Sequence, residues 1–275
     1  MNLSINIRAS YLSSYFDCPR RAAVKIIPEL LRNAGFEPRQ RAPIVSAAIG
    51  IAVHHGEYTV MDSKLKIGVA CSEGNTVDSA ISEFDEMAKE ELTYDSMVPD
   101  KNTGEKQVIR ITKSYYNMVQ PNIKPKRIWN PESKQDMLKA NVSDGFFLTG
   151  HPDLLMEGDI VDDTKTGVVM RSPHGQLGAY SLLLRSNEDQ CKGLQSVFLK
   201  RTTLKKPQPD PVIQMYSQDM CELVAWSTIN KIKSHVQEFA ETGKPEAFPA
   251  NPMSMLCDKA KWCYACDKWC PFGRK

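Results

Sequence analysis

The stretch of short strand-like runs that begins after Pro131 most constrains the fold of this chain. Three runs, KQDMLKANV, FFLTGHPDLL and IVDDTKT, are separated by SDG and MEGD, which are typical hairpin turn sequences. Strands joined by turns this short must pair antiparallel. The segment therefore predicts an antiparallel meander.

The turn at MEGD decides which side chains share a face of that meander. Asp163 and Lys165 are two residues apart on one strand, so they point to the same face. A three-residue loop, 157–159, would place Asp153 directly opposite Asp163, whereas a two-residue loop, 157–158, would separate them. We predict the three-residue loop, and with it one shared face for the three charged groups.

Two carboxylates and a lysine on one face suggest a particular chemistry. Neighbouring carboxylates repel each other unless a cation lies between them, and oxygen ligands favour Mg²⁺ or Mn²⁺. Such an ion can hold a phosphate and activate water, while Lys165 adds a positive charge beside it. The pattern predicts phosphodiester hydrolysis, although a short Asp-x-Lys motif alone is more often chance surface charge.

Helical patterns dominate the first half of the chain. Apolar spacing over 9–32 predicts two short helices with a corner at Pro19 and Ser10 as the first N-cap. Further helices are predicted over about 44–60, 76–92, 105–118, 174–185 and 218–241, and further strands over 193–200 and 212–216. No linker divides the chain, so we expect a single α/β domain.

Composition and charge exclude several classes of protein. Of 275 residues, 41% are hydrophobic and 25% are charged, which is typical of a globular protein. The longest apolar run, IVSAAIGIAV, is about half the ~20 residues that a membrane span needs. The N-terminus lacks a secretory signal pattern, so we expect a cytoplasmic protein without a membrane partner. The net charge of +2 is uninformative about nucleic acid.

Four further motifs occur along nearly the whole chain. They are CPRR after SYLSSYFD, GIAVH at 50–54, GHPD followed by DTKTG, and QLGAY at 176–180. In this order they resemble the RecB-like branch of the PD-(D/E)XK nuclease superfamily, which includes iron–sulfur exonucleases and CRISPR-adaptation nucleases. The resemblance implies a restriction-endonuclease-like core, with a mixed sheet flanked by helices and a helical N-terminal segment.

The resemblance also implies roles for individual residues. Mg²⁺ or Mn²⁺ would be bound by His54, Asp153, Asp163 and the backbone carbonyl of Thr164, and Lys165 would be the catalytic lysine. Gln176 and Tyr180, four residues apart, would hold the substrate backbone or this lysine, although a simple helix-surface pair is an alternative.

Other residues near these motifs are weaker candidates. The basic cluster CPRRAAVK could contact phosphates or be solvated surface, and Arg20 and Arg21 are its candidate DNA contacts. Glu132 is a candidate for an extra acidic group. We interpret His55 and Asp162 as bystanders, because adjacent residues point elsewhere.

Four of the eight cysteines lie close together near the C-terminus. In a reducing compartment such a group more often binds metal than forms disulfides, and its spacing alone favours zinc. The resemblance instead implies a [4Fe–4S] cluster held by one N-terminal and three C-terminal cysteines. We assign Cys18, Cys257, Cys263 and Cys270, with Cys266 as the alternative ligand, because the spacing departs from the commonest family pattern.

The cluster would act as a clasp between the tail and the first helices. We therefore divide the domain into a mainly helical part, 1–130, a catalytic α/β core, 131–245, and a Cys-rich tail, 246–275, that packs with the Cys18 region. We interpret the remaining cysteines, Cys71, Cys191 and Cys221, as buried hydrophobic residues.

Together these features predict a metal-dependent DNA exonuclease that acts at DNA ends or on single strands. One alternative is a CRISPR-adaptation nuclease that trims ends beside an integrase. Another is an inactive nucleic-acid-binding protein with a structural zinc or iron–sulfur site. The chain lacks the Gly-x-x-x-x-Gly-Lys-Ser/Thr motif of helicases, so a helicase or recombination partner would supply unwinding.

Overall fold

The computed structural model describes residues 4–39, 42–130, 133, 136–254, 263, 265, 268–270 and 272. The helices are α1 (Ala9–Asp17), α2 (Pro19–Ile26), α3 (Pro28–Asn33), α4 (Val45–Ile67), α5 (Glu73–Met87), α6 (Lys101–Met118), α7 (His174–Ser186) and α8 (Gln218–Thr242). The strands are β1 (Ile5–Arg8), β2 (Pro125–Ile128), β3 (Leu138–Ser143), β4 (Phe146–Gly150), β5 (Leu154–Met156), β6 (Ile160–Gly167), β7 (Gly193–Lys200) and β8 (Val212–Tyr216).

The strands form two mixed sheets. The smaller has the order β1-β4-β3, with β1 parallel and β3 antiparallel to β4. The larger has the order β2-β5-β6-β7-β8, in which only the β6–β7 pair is parallel. A crossover is required between parallel neighbours, and α7 supplies it between β6 and β7.

The predicted meander is divided between these sheets, so the prediction of one strand over FFLTGHPDLL is wrong. The run breaks into β4 and β5 at His151–Asp153. Pro152 has no amide hydrogen to donate to a sheet ladder. Gly150 has a φ of 158°, and a Cβ there would lie 3.1 Å from the Cβ of Ala9. The chain therefore changes sheets immediately before Asp153.

The predicted three-residue loop between β5 and β6 is confirmed. Met156 pairs with Ile160 and Leu154 pairs with Asp162, which leaves 157–159 as the loop. Gly158 takes a φ of 83°, a conformation that glycine adopts at little cost. The last pair of the ladder is Leu154 with Asp162. Asp153 lies just before β5 and accepts the backbone N–H of Thr164, so its predicted position directly opposite Asp163 is not part of the ladder.

Most helices lie near their predicted positions, but several local details differ, and the region 9–32 forms the three short helices α1, α2 and α3 where two are predicted. The corner at Pro19 is present, whereas α1 begins at Ala9, so Ser10 lies inside the helix and is not its N-cap. The helix predicted to end near residue 60 continues to Ile67. The two short strands β1 and β2 were not predicted.

Helices cover both sides of the larger sheet. One apolar cluster joins the sheet to α1, α7 and α8, and a second joins it to α4, α5 and α6. β7 contributes to both, because Leu194 lies in the first cluster and Val197 in the second. This is the predicted mixed sheet flanked by helices. No helix within the described ranges is long and apolar enough to cross a membrane.

α7 and α8 approach each other closely. A Cβ at Gly178 of α7 would lie 2.0 Å from the backbone oxygen of Cys221, so only glycine fits at this contact. This contact fixes the position of α7 against α8, and Gln176 and Tyr180 lie on the same helix as Gly178.

Candidate active site

Strand β6 runs between α7 and α4 and presents alternate side chains to each helix. The side chains of Asp163 and Lys165 are on the α7 side, where Gln176 reaches Asp163. The side chain of Thr164 is on the α4 side, where it donates a hydrogen bond to Glu57. The sequence Asp-Thr-Lys therefore supplies polar groups to both faces of the same strand.

Asp163 is the most enclosed of the predicted site residues. It is fully buried, and its Oδ1 accepts a hydrogen bond from Lys165 Nζ at 2.6 Å. The amide Nε2 of Gln176 lies 3.5 Å from the same oxygen and donates to the hydroxyl of Tyr180 at 2.6 Å. The structure thus links four predicted residues, Asp163, Lys165, Gln176 and Tyr180, in one chain of contacts.

Asp153 and His54 approach β6 from the other side of Thr164. Asp153 Oδ2 accepts the backbone N–H of Thr164 at 3.1 Å and lies 3.4 Å from His54 Nδ1. Thr164 can make this contact because the β5 pairing ends at Asp162. The structure therefore places Asp153, His54 and Thr164 together, and their role as metal ligands stays a prediction.

Glu57 is a site residue that the sequence analysis missed. It is 4% exposed, its Oε1 accepts a hydrogen bond from Thr164 Oγ1 at 3.0 Å, and its Oε2 lies 3.6 Å from His54 Nδ1. The available signal was an acidic residue one helical turn after His54, on a helix with many buried apolar residues.

His55 and Asp162, the two residues that the sequence analysis interprets as bystanders, have different surroundings. His55 Nδ1 contacts Ser79 Oγ at 3.1 Å, which directs its ring toward α5. Asp162 points to the opposite face from Asp163, but it is fully buried and accepts a hydrogen bond from Gln195 at 2.8 Å. Asp162 therefore belongs to the charged environment of Glu57, even though it does not face Lys165.

Burial makes the carboxylates of this region costly to ionise. Burial, with Asp153 adding to it and Lys165 opposing it, raises the pKa of Asp163 from 3.8 to about 6. Burial, followed by the charges of Asp153 and Asp162, raises the pKa of Glu57 well above its usual value. Burial tends to lower the pKa of Lys165, but Asp163 and Asp153 outweigh it and raise that pKa, so the lysine is a cation.

The chemistry of these residues fits a hard divalent cation. Glu57 Oε2 and Asp163 Oδ2 are buried and have no hydrogen-bond partner of normal geometry, although the Tyr115 hydroxyl is close enough to Glu57 to lower its pKa. Unpaired buried carboxylate oxygens cost free energy, and a small divalent ion removes that cost. As the side chains stand, however, no three His, Cys, Asp or Glu residues in the described part of the chain converge closely enough to hold an ion.

The surroundings of Arg20 and Arg21 do not fit their predicted contact with DNA. Arg20 is 6% exposed and donates to the backbone oxygen of Phe248 at 2.8 Å. Arg21 is 9% exposed and donates to Asp17 at 2.5 Å and to Ser254 at 3.2 Å. Both guanidinium groups hold the C-terminal segment against α1 and α2, which is a structural role.

The described part of the tail contacts the Cys18 region. Trp269 donates to the backbone oxygen of Arg20 at 2.7 Å, and Asn251 N lies 3.5 Å from Cys18 Sγ. Burial raises the pKa of the Cys263 thiol, and the nearby Cys270 and Cys18 add to the rise. Cys263 thus lies within electrostatic range of Cys18 and of Cys270, but no three of the described cysteines converge closely enough to hold a metal. Cys257, Cys266 and the candidate Glu132 lie outside the described residues.

The three remaining cysteines are not all buried. Cys221 is fully buried, as predicted, and burial raises its pKa to about 11. Cys71 and Cys191 are only half-buried, and Cys71 Sγ lies 3.3 Å from Thr76 Oγ1. The interpretation as buried hydrophobic residues therefore holds for Cys221 alone.

The sequence model of the PD-(D/E)XK nuclease superfamily matches residues 7–274. The chain belongs to this superfamily. A search of curated proteins returns no match. Among solved structures, the chain is similar to a protein from Eubacterium rectale named "Putative exonuclease", with 12% sequence identity, a TM-score of 0.47, and coverage of 83% of this chain and 81% of that one. The superfamily assignment therefore rests on the sequence match.

Proposed function

We propose that this member of the superfamily is a divalent-metal-dependent deoxyribonuclease that hydrolyses phosphodiester bonds at DNA ends or in single strands. The observation that carries the proposal is the contact of Asp153 with the backbone of Thr164, directly beside the ion pair of Asp163 and Lys165. The closeness of these three charged side chains supports the assignment of the PD-(D/E)XK motif to a nuclease site.

The proposed metal site uses the oxygens and the nitrogen around Thr164. Asp153, Asp163, His54 and the carbonyl of Thr164 would hold Mg²⁺ or Mn²⁺, which supplies Lewis-acid activation of water and neutralisation of phosphate charge. The two carboxylates contribute negative charge in a buried environment, where electrostatic attraction to a cation is stronger than in water.

Lys165 would act on the substrate directly. Its side chain is 35% exposed while its partner Asp163 is fully buried, so the ammonium group can also reach a phosphate at the surface. It would offset the negative charge that develops on the phosphate oxygens as the bond breaks. Gln176 would hold Asp163 in position, with Tyr180 fixing the orientation of the amide.

The proposed preference for DNA ends is more specific than the proposal of a deoxyribonuclease. Its support is the combination of CPRR, GIAVH, GHPD, DTKTG and QLGAY, which resembles the branch of the superfamily that contains iron–sulfur exonucleases. Within the same branch we propose that Cys18, Cys263 and Cys270, with Cys257 or Cys266, bind a [4Fe–4S] cluster. The support for this assignment is the resemblance of the motifs to that branch, and as the described side chains stand, no three of the cysteines converge closely enough to hold a metal.

The nuclease proposal is tested with end-labelled linear DNA and closed circular DNA in the presence of Mg²⁺ or Mn²⁺. The wild type should degrade linear DNA only, and Lys165→Ala should abolish the activity. Lys192→Ala is the matched control, because Lys192 is an exposed lysine paired with Asp159 on the loop between β5 and β6. Absence of cleavage of any DNA by the wild type would instead favour an inactive nucleic-acid-binding protein.

The cluster proposal has its own experiment, which is iron and acid-labile sulfide analysis of anaerobically purified protein. Cys18→Ala should lose the visible absorption of the cluster together with thermal stability. Cys71→Ala, which removes a half-buried cysteine outside the proposed ligand set, should retain both. Zinc in place of iron in the wild type would contradict the assignment.

A further inference from the structure

Positive charge is concentrated on one face of α6 and on the loop that follows β7. Lys106, Arg110 and Lys113 follow one another at spacings of four and three residues, so they share a face of the helix. Lys106 and Lys113 are exposed, and Arg110 is half-buried. The loop adds the exposed Lys205 and Lys206. Together α6 and the loop form a basic surface.

A cavity of about 230 Å³, which we name the α6 groove, lies at this surface. A single water needs about 10–15 Å³ by the same measure, so the groove is large enough for a phosphate group. The groove is lined by Arg110, Lys113, Ser114, Asn117, Met118 and Gln208. Five of these six side chains carry hydrogen-bond donors, and two are cations, which suits phosphate oxygens as acceptors.

Arg110 both builds the groove and contributes charge to it. Its guanidinium group donates to the backbone oxygens of Thr202 at 2.7 Å and of Lys206 at 2.8 Å, which holds the loop against α6. Its Nε is buried and has no hydrogen-bond partner within the described residues. Neutral carbonyl groups do not cancel the charge of a guanidinium group, so Arg110 leaves a positive field at the groove.

Ser114 is a buried hydroxyl group that lines the groove without a partner. It is 8% exposed, and its Oγ makes no hydrogen bond to any described residue. An unpaired buried hydroxyl group costs free energy, and a ligand oxygen that accepts its hydrogen removes the cost. Lys113 lines the same groove, so a neutral donor and a charged donor are available to one anionic ligand.

The carboxylate beside Lys113 belongs to Glu73 of α5. Glu73 Oε1 lies 3.1 Å from Lys113 Nζ, and Glu73 Oε2 accepts a hydrogen bond from the Asn117 amide at 2.6 Å. The side chains of Lys113 and Glu73 are 50% and 34% exposed, and ion pairs at the surface contribute little to stability. A phosphate can therefore replace Glu73 as the partner of Lys113 at little cost.

The loop connects the groove to the proposed active site. In the parallel β6–β7 ladder, Lys165 pairs with Phe198 and Gly167 pairs with Lys200. The N–H of Arg201 then donates to the backbone oxygen of Gly167 at 2.7 Å. The loop thus begins about 7 Å along the strand from the residue paired with Lys165. A DNA strand that is cut beside Lys165 can continue across this loop to the groove.

We propose that the α6 groove binds the phosphate backbone of the DNA strand beyond the cleavage site. Lys113 and Arg110 supply positive charge, and Ser114 donates a hydrogen bond to a phosphate oxygen. The inference rests on the proposed function, because the strand in the groove is the strand that is cut beside Lys165. Contacts to phosphates carry no sequence information, so binding in the groove is independent of base sequence.

The test is fluorescence anisotropy of a labelled single-stranded oligonucleotide, with EDTA present so that no cleavage occurs and with KCl varied. Lys113→Gln should weaken binding by roughly fivefold and reduce the slope of log K against log [KCl] by about 0.7, the contribution of one phosphate contact on a single strand. Lys101→Gln is the matched control and should bind like the wild type. Lys101 lies on the same helix, is 48% exposed and also pairs with a carboxylate, that of Asp85.

Two further variants test the neighbours of Lys113. Glu73→Gln removes the competing carboxylate and should strengthen oligonucleotide binding. Ser114→Ala removes a neutral donor, so binding should weaken by about fivefold with an unchanged salt slope. Its melting temperature should not fall, because the hydroxyl group has no partner in the described fold. A destabilised Ser114→Ala variant with wild-type affinity would overturn the role of Ser114.

The outcomes separate this inference from the proposed function. Equal affinity and equal salt slope in Lys113→Gln and the wild type would overturn the inference, and so would a wild type that binds no oligonucleotide at low salt. If Lys113→Gln weakens binding of a free nucleoside monophosphate but not of the oligonucleotide, the groove holds a nucleotide and the strand assignment is wrong. Cleavage of linear DNA with metal is measured separately, and its absence counts against the proposed function.

Discussion

The buried acidic groups around β6 and the buried arginines of α2 have very different surroundings. Glu57, Asp162 and Asp163 each retain a buried oxygen without a hydrogen-bond partner. Arg20 and Arg21 donate to backbone and side-chain oxygens of the C-terminal segment and of Asp17, and neither has a buried nitrogen left unpaired among the described contacts.

This difference distinguishes residues whose burial stabilises the fold from residues whose burial costs free energy of folding. A satisfied buried arginine contributes to stability by fixing the segments that it joins. An unsatisfied buried carboxylate lowers stability, and it is retained where activity depends on it. We therefore expect substitutions in the two regions to have opposite effects on stability and on activity.

The largest loss of stability should follow from Trp269→Ala at the tail junction. Trp269 is 1% exposed, packs against Phe36, Phe239 and Phe248, and donates to Arg20. Its removal should lower the free energy of unfolding by about 3–5 kcal/mol, measured by urea denaturation.

The matched control is Trp226→Ala, because Trp226 is 38% exposed and should cost much less. Nuclease activity per folded Trp269→Ala molecule should change little at a temperature where the variant is folded. A large loss of activity without a loss of stability would contradict the division between the two regions.

Asp163→Asn should show the reverse of Trp269→Ala, which is a loss of nuclease activity without a loss of stability. Nuclease activity should fall by about 10²–10³-fold, the effect of removing one group that manages charge in the transition state. Asparagine still accepts a hydrogen bond from Lys165 and carries no buried charge. The free energy of unfolding of the metal-free protein at pH 8 should therefore be unchanged or higher. A destabilised variant would show that Asp163 is mainly structural.

The pH dependence of stability sharpens the same comparison. Burial raises the pKa of Asp162 from 3.8 to about 7, despite the hydrogen bond from Gln195. Because the folded-state pKa exceeds the unfolded one, the contribution of Asp162 is complete below about pH 4 and is lost as the pH rises through about 7. In the metal-free protein, Asp162→Asn should remove the part of the decline in the free energy of unfolding with pH that Asp162 causes. Parallel stability profiles for the two proteins between pH 4 and 8 would contradict the assignment.

The sequence predicts the parts of the site that depend on local geometry. The two-residue period of β6 places Asp163 and Lys165 on one face, and the length of the MEGD turn sets the β5–β6 register that brings Asp153 to Thr164. Neither step needs knowledge of distant residues. The order of motifs then identifies the family, which the match over residues 7–274 confirms.

The remaining features depend on contacts between distant parts of the chain. Arg20 and Arg21 have the composition of a solvated basic patch, but partners more than 200 residues away enclose them. Glu57 becomes a site residue only because α4 packs across Thr164, 107 positions later. β1 is four residues long and forms through its parallel pairing with β4. Sequence patterns with a short period carry no information about such partners.

The smallest expected effect concerns Gln176 and Tyr180, the residues of α7 that border Asp163. Tyr180→Phe removes the hydroxyl that accepts the Gln176 amide at 2.6 Å, and the loss of one hydrogen bond is worth about 1 kcal/mol. If Gln176 positions Asp163, the cleavage rate should fall by roughly fivefold through looser placement of the amide. Gln176→Ala should reduce the rate at least as much. If neither substitution changes the rate, the two residues are only a packed pair on the helix, and the functional region ends at Asp163 and Lys165.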